Sequence, residues 1–291
     1  MEEGNYMIRA LVRYPVNAPV IVTPATDTYT AEEALTVTGT SPADGAELQL
    51  FNGEELVGTT TVENQQFSLP ITLQAGDNAL SVQALVDGKL TDRSAPVHVI
   101  LDQAAPVLEV TAPVDGTRTN AGDLRVTGTV HDDYLHTLTI NGAEVQVEED
   151  GSFSHRLLIE EGQNQIIVTA RDLAGNETSV TRTVHLEQAL PEIRNVTPTE
   201  DVRITPGEAL RVTFDSDPGL QASFRIEVPL VSSSARNEIS FFEAAPGRYE
   251  AYYNTPNTLR LSGGVIVIRI RDAAGNEVEI ETPGKLYVNP I

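Results

Sequence analysis

The run LRVTGT, Leu124 to Thr129, repeats an earlier run, LTVTGT, Leu35 to Thr40, at an offset of 89 residues. Its apolar and small positions, Leu124, Val126, Gly128 and Val130, alternate with Arg125, Thr127 and Thr129. Successive side chains of an extended chain point to opposite faces, so a period of two predicts a strand with one buried face. Helical periodicity is absent. The copy extends beyond the strand. At the same offset Asn52 and Gly53 match Asn141 and Gly142, and at an offset of 86 Phe67 falls on Phe153, Gly76 on Gly162 and Asn78 on Asn164. A looser third copy shows in LRVTF, Leu210 to Phe214, and in DAAGN, Asp272 to Asn276, which repeats DLAGN, Asp172 to Asn176, at an offset of 100.

Seams of similar composition precede each new β-rich run: Asn17 to Pro19, Gln103 to Pro106 and Gln188 to Pro191. Three domains are therefore expected, at 18–102, 103–188 and 189–291. Residues 1–17 lack the basic and apolar regions of a signal peptide and read as the tail of an upstream domain plus an initiating methionine. Within a unit, Asn141-Gly142 between Leu138, Ile140 and Val145, Val147 is a hairpin signal, because a type I′ turn needs positive φ at both central positions. Glu161 to Asn164 and Asp172 to Asn176 read as longer turns. Short strands punctuated every eight to twelve residues or so predict an all-β chain of three tandem immunoglobulin-like antiparallel β-sandwich domains. With no disulfide and no tryptophan, each core must rest on Val, Ile, Leu and a few Phe.

The 291 residues include 42 acidic and 19 basic side chains, a net charge of −23, and 40% apolar residues. That apolar fraction can build real cores. The absence of cysteine excludes disulfides, thiolate zinc sites and cysteine nucleophiles. No apolar run approaches the roughly eighteen residues of a membrane helix, so no membrane span is expected. The acidity opposes nucleic acid and anionic membrane. Charge is uneven: residues 18–102 carry −10, 103–188 carry −9 and 189–291 only −4. The last segment also holds eight of the fifteen aromatic residues.

Catalytic constellations are missing. Gly39 to Pro42 superficially resembles the nucleophile segment of a subtilisin-like peptidase, but it ends a strand duplicated at Val126 to Thr129, with no helix start or oxyanion donor nearby. His98, His131, His136, His155 and His185 have no zinc-site spacing. Acidic loops are the better chemical lead. In an immunoglobulin-like sandwich two loops meet at the end where the chain arrives, so Asp102, Asp132, Asp133 and Asp172 are expected to converge, with a weaker counterpart in Asp215, Asp217, Asp272 and Glu187. Calcium is the candidate cofactor, since it accepts irregular oxygen cages. The plainer reading of DLAGN and DAAGN is favoured: Asp caps its own turn, Gly takes the positive φ, and Asn satisfies a neighbouring backbone group. A second candidate is a ligand-binding platform of Tyr249, Tyr252 and Tyr253 with Arg225, Arg269 and Arg271. Against it, Pro246 to Tyr249 fits a tyrosine corner, in which the hydroxyl ties back to nearby backbone.

Five segments together resemble a known family: Val99 to Pro106 (VILDQAAP), Asp172 to Thr178 (DLAGNET), Phe224 to Leu230 (FRIEVPL), Pro246 to Tyr253 (PGRYEAYY) and Gly284 to Asn289 (GKLYVN). They are similar to the C-terminal accessory region of bacillopeptidase F-like secreted subtilases, over nearly the whole chain after residue 18. The first two repeats also resemble the immunoglobulin-like domain of glucodextranase and of many bacterial surface proteins. The resemblance implies a secreted or wall-associated parent with an upstream subtilisin-like serine peptidase domain as partner. The family's catalytic Asp, His and Ser segments have no counterpart here, so no catalytic residue transfers and no peptide hydrolysis is expected of this piece. The expected role is a monomeric spacer or accessory region. The alternatives are a module binding cell-wall polysaccharide or protein substrate, and a calcium-stiffened adhesin stalk.

Overall fold

A computed structural model describes residues 17–24, 27–228 and 238–289. Residues 1–16 of the expected tail, and Pro229 and Leu230 of the FRIEVPL run, lie outside the described residues. Among the described residues every regular element is a strand, and no helix is long and apolar enough to cross a membrane.

Among the described residues the strands form six sheets, two for each sequence repeat. In the first repeat Val20–Thr23, Ala34–Thr40 and Gln66–Thr72 make a three-stranded sheet, in that order. Thr28–Thr30, Val97–Leu101, Gly76–Val86, Glu47–Asn52 and Glu55–Thr61 make the other, with Lys89–Leu90 also pairing to Gly76–Val86. The middle repeat returns both orders: Val107–Ala112, Asp123–His131 and Ser152–Leu158; then Thr117–Thr119, Glu177–Leu186, Gly162–Asp172, Leu135–Ile140 and Ala143–Glu144. The last repeat adds an edge strand: Arg194–Thr197, Ala209–Asp215, Arg248–Asn254 and Phe242–Ala245 face a sheet of Val202–Ile204, Leu286–Val288, Leu261–Arg271, Gln221–Glu227 and Ile239–Ser240, with Glu277–Glu281 also paired to Leu261–Arg271. This is the immunoglobulin-like arrangement.

One feature departs from an all-antiparallel expectation. Thr28–Thr30 runs parallel to Val97–Leu101, Thr117–Thr119 to Glu177–Leu186, and Val202–Ile204 to Leu286–Val288. Each repeat's first strand ends just before a proline, Pro24, Pro113 or Pro198. Proline has no N–H to donate to a ladder, so the strand stops there and the chain resumes on the other sheet, alongside the repeat's last strand.

By compactness the chain falls into two units, Met1–Glu109 with Gly128–Phe153 and Val168–Val180, and Val110–Thr127 with Ser154–Ile167 and Thr181–Ile291. The seam after residue 102 lies inside the first unit and the seam after residue 188 inside the second. In the first unit Val37, Leu48, Leu50, Leu80, Val82 and Val99 pack with Phe67 in a fully buried cluster. In the second, Leu210, Val212, Phe214, Phe224, Tyr249, Ile266 and Ile268 do the same. The glycine of the VTGT run has a definite task. A Cβ at Gly39 would overlap the Val20 carbonyl and the Phe67 ring, and one at Gly128 would overlap the Glu109 carbonyl and the Phe153 ring. The repeat of Gly and Phe in sequence is thus a repeat of one close strand-to-ring contact. The Gly-x-Asn corners repeat too: Asn78 bonds both the N–H and the carbonyl of Gln74, and Asn164 does the same to Glu160.

Candidate functional site

The strands Val97–Leu101, Asp123–His131 and Gly162–Asp172 end close together, and this brings Asp102, Asp132 and Asp172 within 4.8 Å of one another at their ligand atoms. Asp133 is exposed and outside the group. Asp172 is buried. Its Oδ1 accepts from the backbone N–H groups of Gly175 (2.6 Å) and Asn176 (2.8 Å), and its Oδ2 accepts from Asn176 Nδ2 (2.7 Å). Asp132 Oδ1 accepts from Tyr134 N–H at 2.7 Å, and Asp102 Oδ1 from Ala104 N–H at 3.0 Å. Partial burial lifts the Asp132 carboxyl above its ordinary range, and the neighbouring charges of Asp102, Asp172 and Asp133 add to this against the Tyr134 hydrogen bond. Calcium takes about six to eight oxygens. The group offers three carboxylates, and both Asp172 oxygens already accept hydrogen bonds within the turn.

In the counterpart group Asp215, Asp272 and Glu187 have separate side-chain partners, and Asp217 takes part through its backbone carbonyl. Asp215 Oδ2 accepts from Asn195 Nδ2 at 2.8 Å, and the Asp217 carbonyl accepts from the Tyr249 hydroxyl at 2.9 Å. Asp272 accepts from both the backbone and the side-chain N–H of Asn276, each at 2.8 Å, and its carboxyl lies below the ordinary range because these hydrogen bonds outweigh its burial. Glu187 pairs with Arg118. Among the described residues no second group of three gathers as Asp102, Asp132 and Asp172 do.

The two turns share a detail that spacing alone did not locate. Asn176 Nδ2 donates to the Asp102 carbonyl at 2.9 Å and the Ala104 carbonyl at 3.2 Å. Asn276 Nδ2 donates to the Glu187 carbonyl at 2.8 Å. Gly175 and Gly275 both take φ of +96°, the left-handed conformation the turn reading requires. Asp102 and Glu187 are each the first residue after a repeat's last strand, so each asparagine reaches back to the seam that precedes its own repeat. In the first repeat the matching strand instead closes through Asp87 and Gly88, and no such asparagine is present.

The tyrosine and arginine group does not form one surface. Tyr249, Tyr252 and Tyr253 lie on Arg248–Asn254, whereas Arg225 lies on Gln221–Glu227 and Arg269 and Arg271 on Leu261–Arg271, strands of a different sheet. Tyr249 is buried and stacks on Phe214, ring centroids 4.7 Å apart and planes 7° apart. Its hydroxyl donates to Asp217 and accepts from Leu220 N–H at 2.8 Å, a tyrosine corner, and burial pushes its pKa up. Tyr253 is half-buried against the same core. Only Tyr252 is open to solvent. It lies across from Phe242, centroids 6.3 Å and planes 15° apart, with its hydroxyl 3.2 Å from a Glu250 carboxylate that Arg211 also holds. Phe242 and Arg211 escaped the sequence reading, although Phe242 stood among the aromatic residues it counted. Two of the three arginines hold acids. Arg225 holds Glu279 through both terminal nitrogens (2.9 and 3.1 Å) and Glu227 through Nε (2.7 Å). Arg269 holds Glu279, Glu277 and Glu238. Together Arg225 and Arg269 pull the Glu279 carboxyl down to about 2. Arg271 stands opposite Glu277 in strand register.

Residues 106–188 match the family model of glucodextranase, domain B. Over 292 residues, covering 99% of this chain, the sequence is 37% identical to Bacillopeptidase F of Bacillus subtilis (strain 168). The chain matches one part of a larger peptidase. It spans 20% of that protein's length. The peptidase resemblance is thereby met over nearly the whole chain, and the glucodextranase resemblance, expected for the first two repeats, is met in the second. Among solved structures, the three titin immunoglobulin domains I67–I69, in an E-to-A variant, give a TM-score of 0.49 at 8% identity, covering 94% of this chain and 99% of that one. The fibronectin(III)-like modules of Clostridium thermocellum CbhA give 0.40 at 18% identity, covering 58% of this chain and 94% of that one.

Proposed function

We propose that this chain is a non-catalytic accessory region of an extracellular serine peptidase, a monomeric string of three β-sandwich domains at 18–102, 103–188 and 189–291 that presents and spaces an upstream catalytic domain. The observation that carries the reading is the 37% identity to a fifth of Bacillopeptidase F, extending over nearly all of this chain. Support also comes from the chain itself. Strands and turns account for the described regular structure, and the buried polar groups at the loop ends bond to backbone rather than standing free to take or give a proton. The acidity suits a soluble spacer, which must neither self-associate nor adhere to wall polyanions.

The test is made on the whole peptidase. Deleting this region is expected to leave hydrolysis of a short soluble peptide unchanged while reducing attack on insoluble or wall-bound protein, and an unrelated tandem β-sandwich of equal length is expected to restore the latter. Loss of short-peptide hydrolysis on deletion overturns the reading. The exposed Phe242 and Tyr252 rings favour one alternative, a module for wall polysaccharide or protein. On that reading the isolated chain is retained on insoluble cell wall, and a double substitution F242A/Y252A abolishes retention.

A further inference from the structure

We propose that the Asp-x-Ala-Gly-Asn turn is a junction latch, in which the aspartate aims the asparagine side chain so that it holds the backbone carbonyl of the seam preceding the same repeat. The proposal deepens the spacer reading, since a string of domains is only as stiff as its seams.

The geometry of the two copies divides the work. Asp172 Oδ1 gathers the N–H groups of Gly175 and Asn176 and so shapes the turn, while its Oδ2 takes one N–H of the Asn176 amide. The remaining N–H capacity of that amide faces the seam, where it meets the carbonyls of Asp102 and Ala104. Asp272 and Asn276 repeat the arrangement on the Glu187 carbonyl. The seam residue is held from its other side as well. Asp102 N–H donates to the Thr30 carbonyl and Glu187 N–H to the Thr119 carbonyl, each at 2.9 Å, within the repeat just ended. One peptide segment therefore has its N–H fixed by the repeat behind and its carbonyl by the repeat ahead. Each latch lies within a single compact unit.

The residue types follow from this duty. The asparagine must donate twice, once to the aspartate and once to a carbonyl, and an aspartate in its place would set a carboxylate against both acceptors. The latch takes only backbone from the seam, so it sets no demand on the side chain there, and the two copies carry Asp102 and Glu187.

The test uses the full chain, with hydrogen exchange read by mass spectrometry on peptides spanning residues 98–106 and 183–191. Asn176→Ala is expected to speed exchange about 2- to 10-fold in the first peptide and leave the second unchanged, and Asn276→Ala to do the reverse, the scale set by losing one or two hydrogen bonds. Asn176→Asp, nearly isosteric, is expected to open the seam at least as far as Asn176→Ala. Exchange unchanged at both seams, or raised evenly through the whole repeat, overturns the latch, as does Asn176→Asp behaving like the unaltered chain. The spacer reading fails independently, through the deletion experiment on the whole peptidase.

Discussion

In the first repeat a glycine faces a phenylalanine across two neighbouring strands; in the last, a phenylalanine faces a tyrosine. Gly39 pairs in register with Phe67, and Phe214 with Tyr249. The ladder positions are the same, but the volumes are not. In the first case the missing side chain lets the Val20 backbone and the Phe67 ring close over the strand. In the last, two rings stack, Phe241 packs edge-on against both Phe214 and Phe224, and the tyrosine oxygen is satisfied by backbone at both Asp217 and Leu220. The comparison teaches that backbone hydrogen bonds hold the register while the facing pair can change, provided both members change together.

Breaking the aromatic side of the comparison has the largest expected effect. Phe214→Ala is expected to destabilise the last repeat by about 3–5 kcal/mol, because it removes a fully buried ring and leaves its stacking partner over a cavity. Chemical denaturation followed by tyrosine fluorescence checks this, and a loss under about 1 kcal/mol would mean the ring pair is not what holds that core. Next comes the glycine side. Gly39→Ala is expected to cost about 1–3 kcal/mol by overpacking, and adding Phe67→Leu should recover only part of it, since the Val20 carbonyl still blocks the new methyl group. Full recovery would show the ring alone to be the obstacle.

Acid sharpens the same contrast with the smallest effect. In the last repeat Glu279 is held at about 2, below its ordinary 4.5, so its contribution to stability is present above pH 4.5 and lost as pH falls from there through 2. Asp132 behaves oppositely. Its folded-state pKa is raised, so the folded form takes up the proton more readily than the unfolded chain, and its contribution grows on acidification. Denaturation midpoints between pH 7 and 2 should show Glu279→Gln less stable than the unaltered chain at pH 7, with the gap closing between pH 4.5 and 2. Asp132→Asn should instead be more stable at neutral pH, with its gap closing as acid protonates the carboxyl. Parallel curves for either pair would contradict the assignment.

Much of this was readable in advance because it depends on local chemistry. The alternation around Val126 marked a strand, and the glycines of DLAGN and DAAGN marked turns needing positive φ. The corner at Tyr249 was legible from Pro246 and Gly247. Where reading along the chain fell short, the missing quantity was a distance between residues remote in sequence. Tyr249 and Arg225 looked like neighbours in one aromatic and basic region, yet they belong to different sheets. Asp215, Asp217 and Asp272 looked like a counterpart to the first acidic group, yet the carboxylates of Asp215 and Asp272 have separate partners and Asp217 bonds through its backbone carbonyl. The carbonyls that Asn176 and Asn276 hold lie 74 and 89 residues earlier.

What the sequence by itself determined is therefore the all-β class, the repeated strand with one buried face, the glycine and asparagine turns and the threefold repeat, because pleat, φ preference and hydrophobic period act between near neighbours. Only the tertiary structure decided that Asp133 stays outside the acidic group, that the tyrosines and arginines stand on different sheets, and that an asparagine in one turn grips the seam behind it. Those outcomes depend on how sheets stack and where strands end, and a carbonyl oxygen that any residue can offer leaves no mark in the sequence.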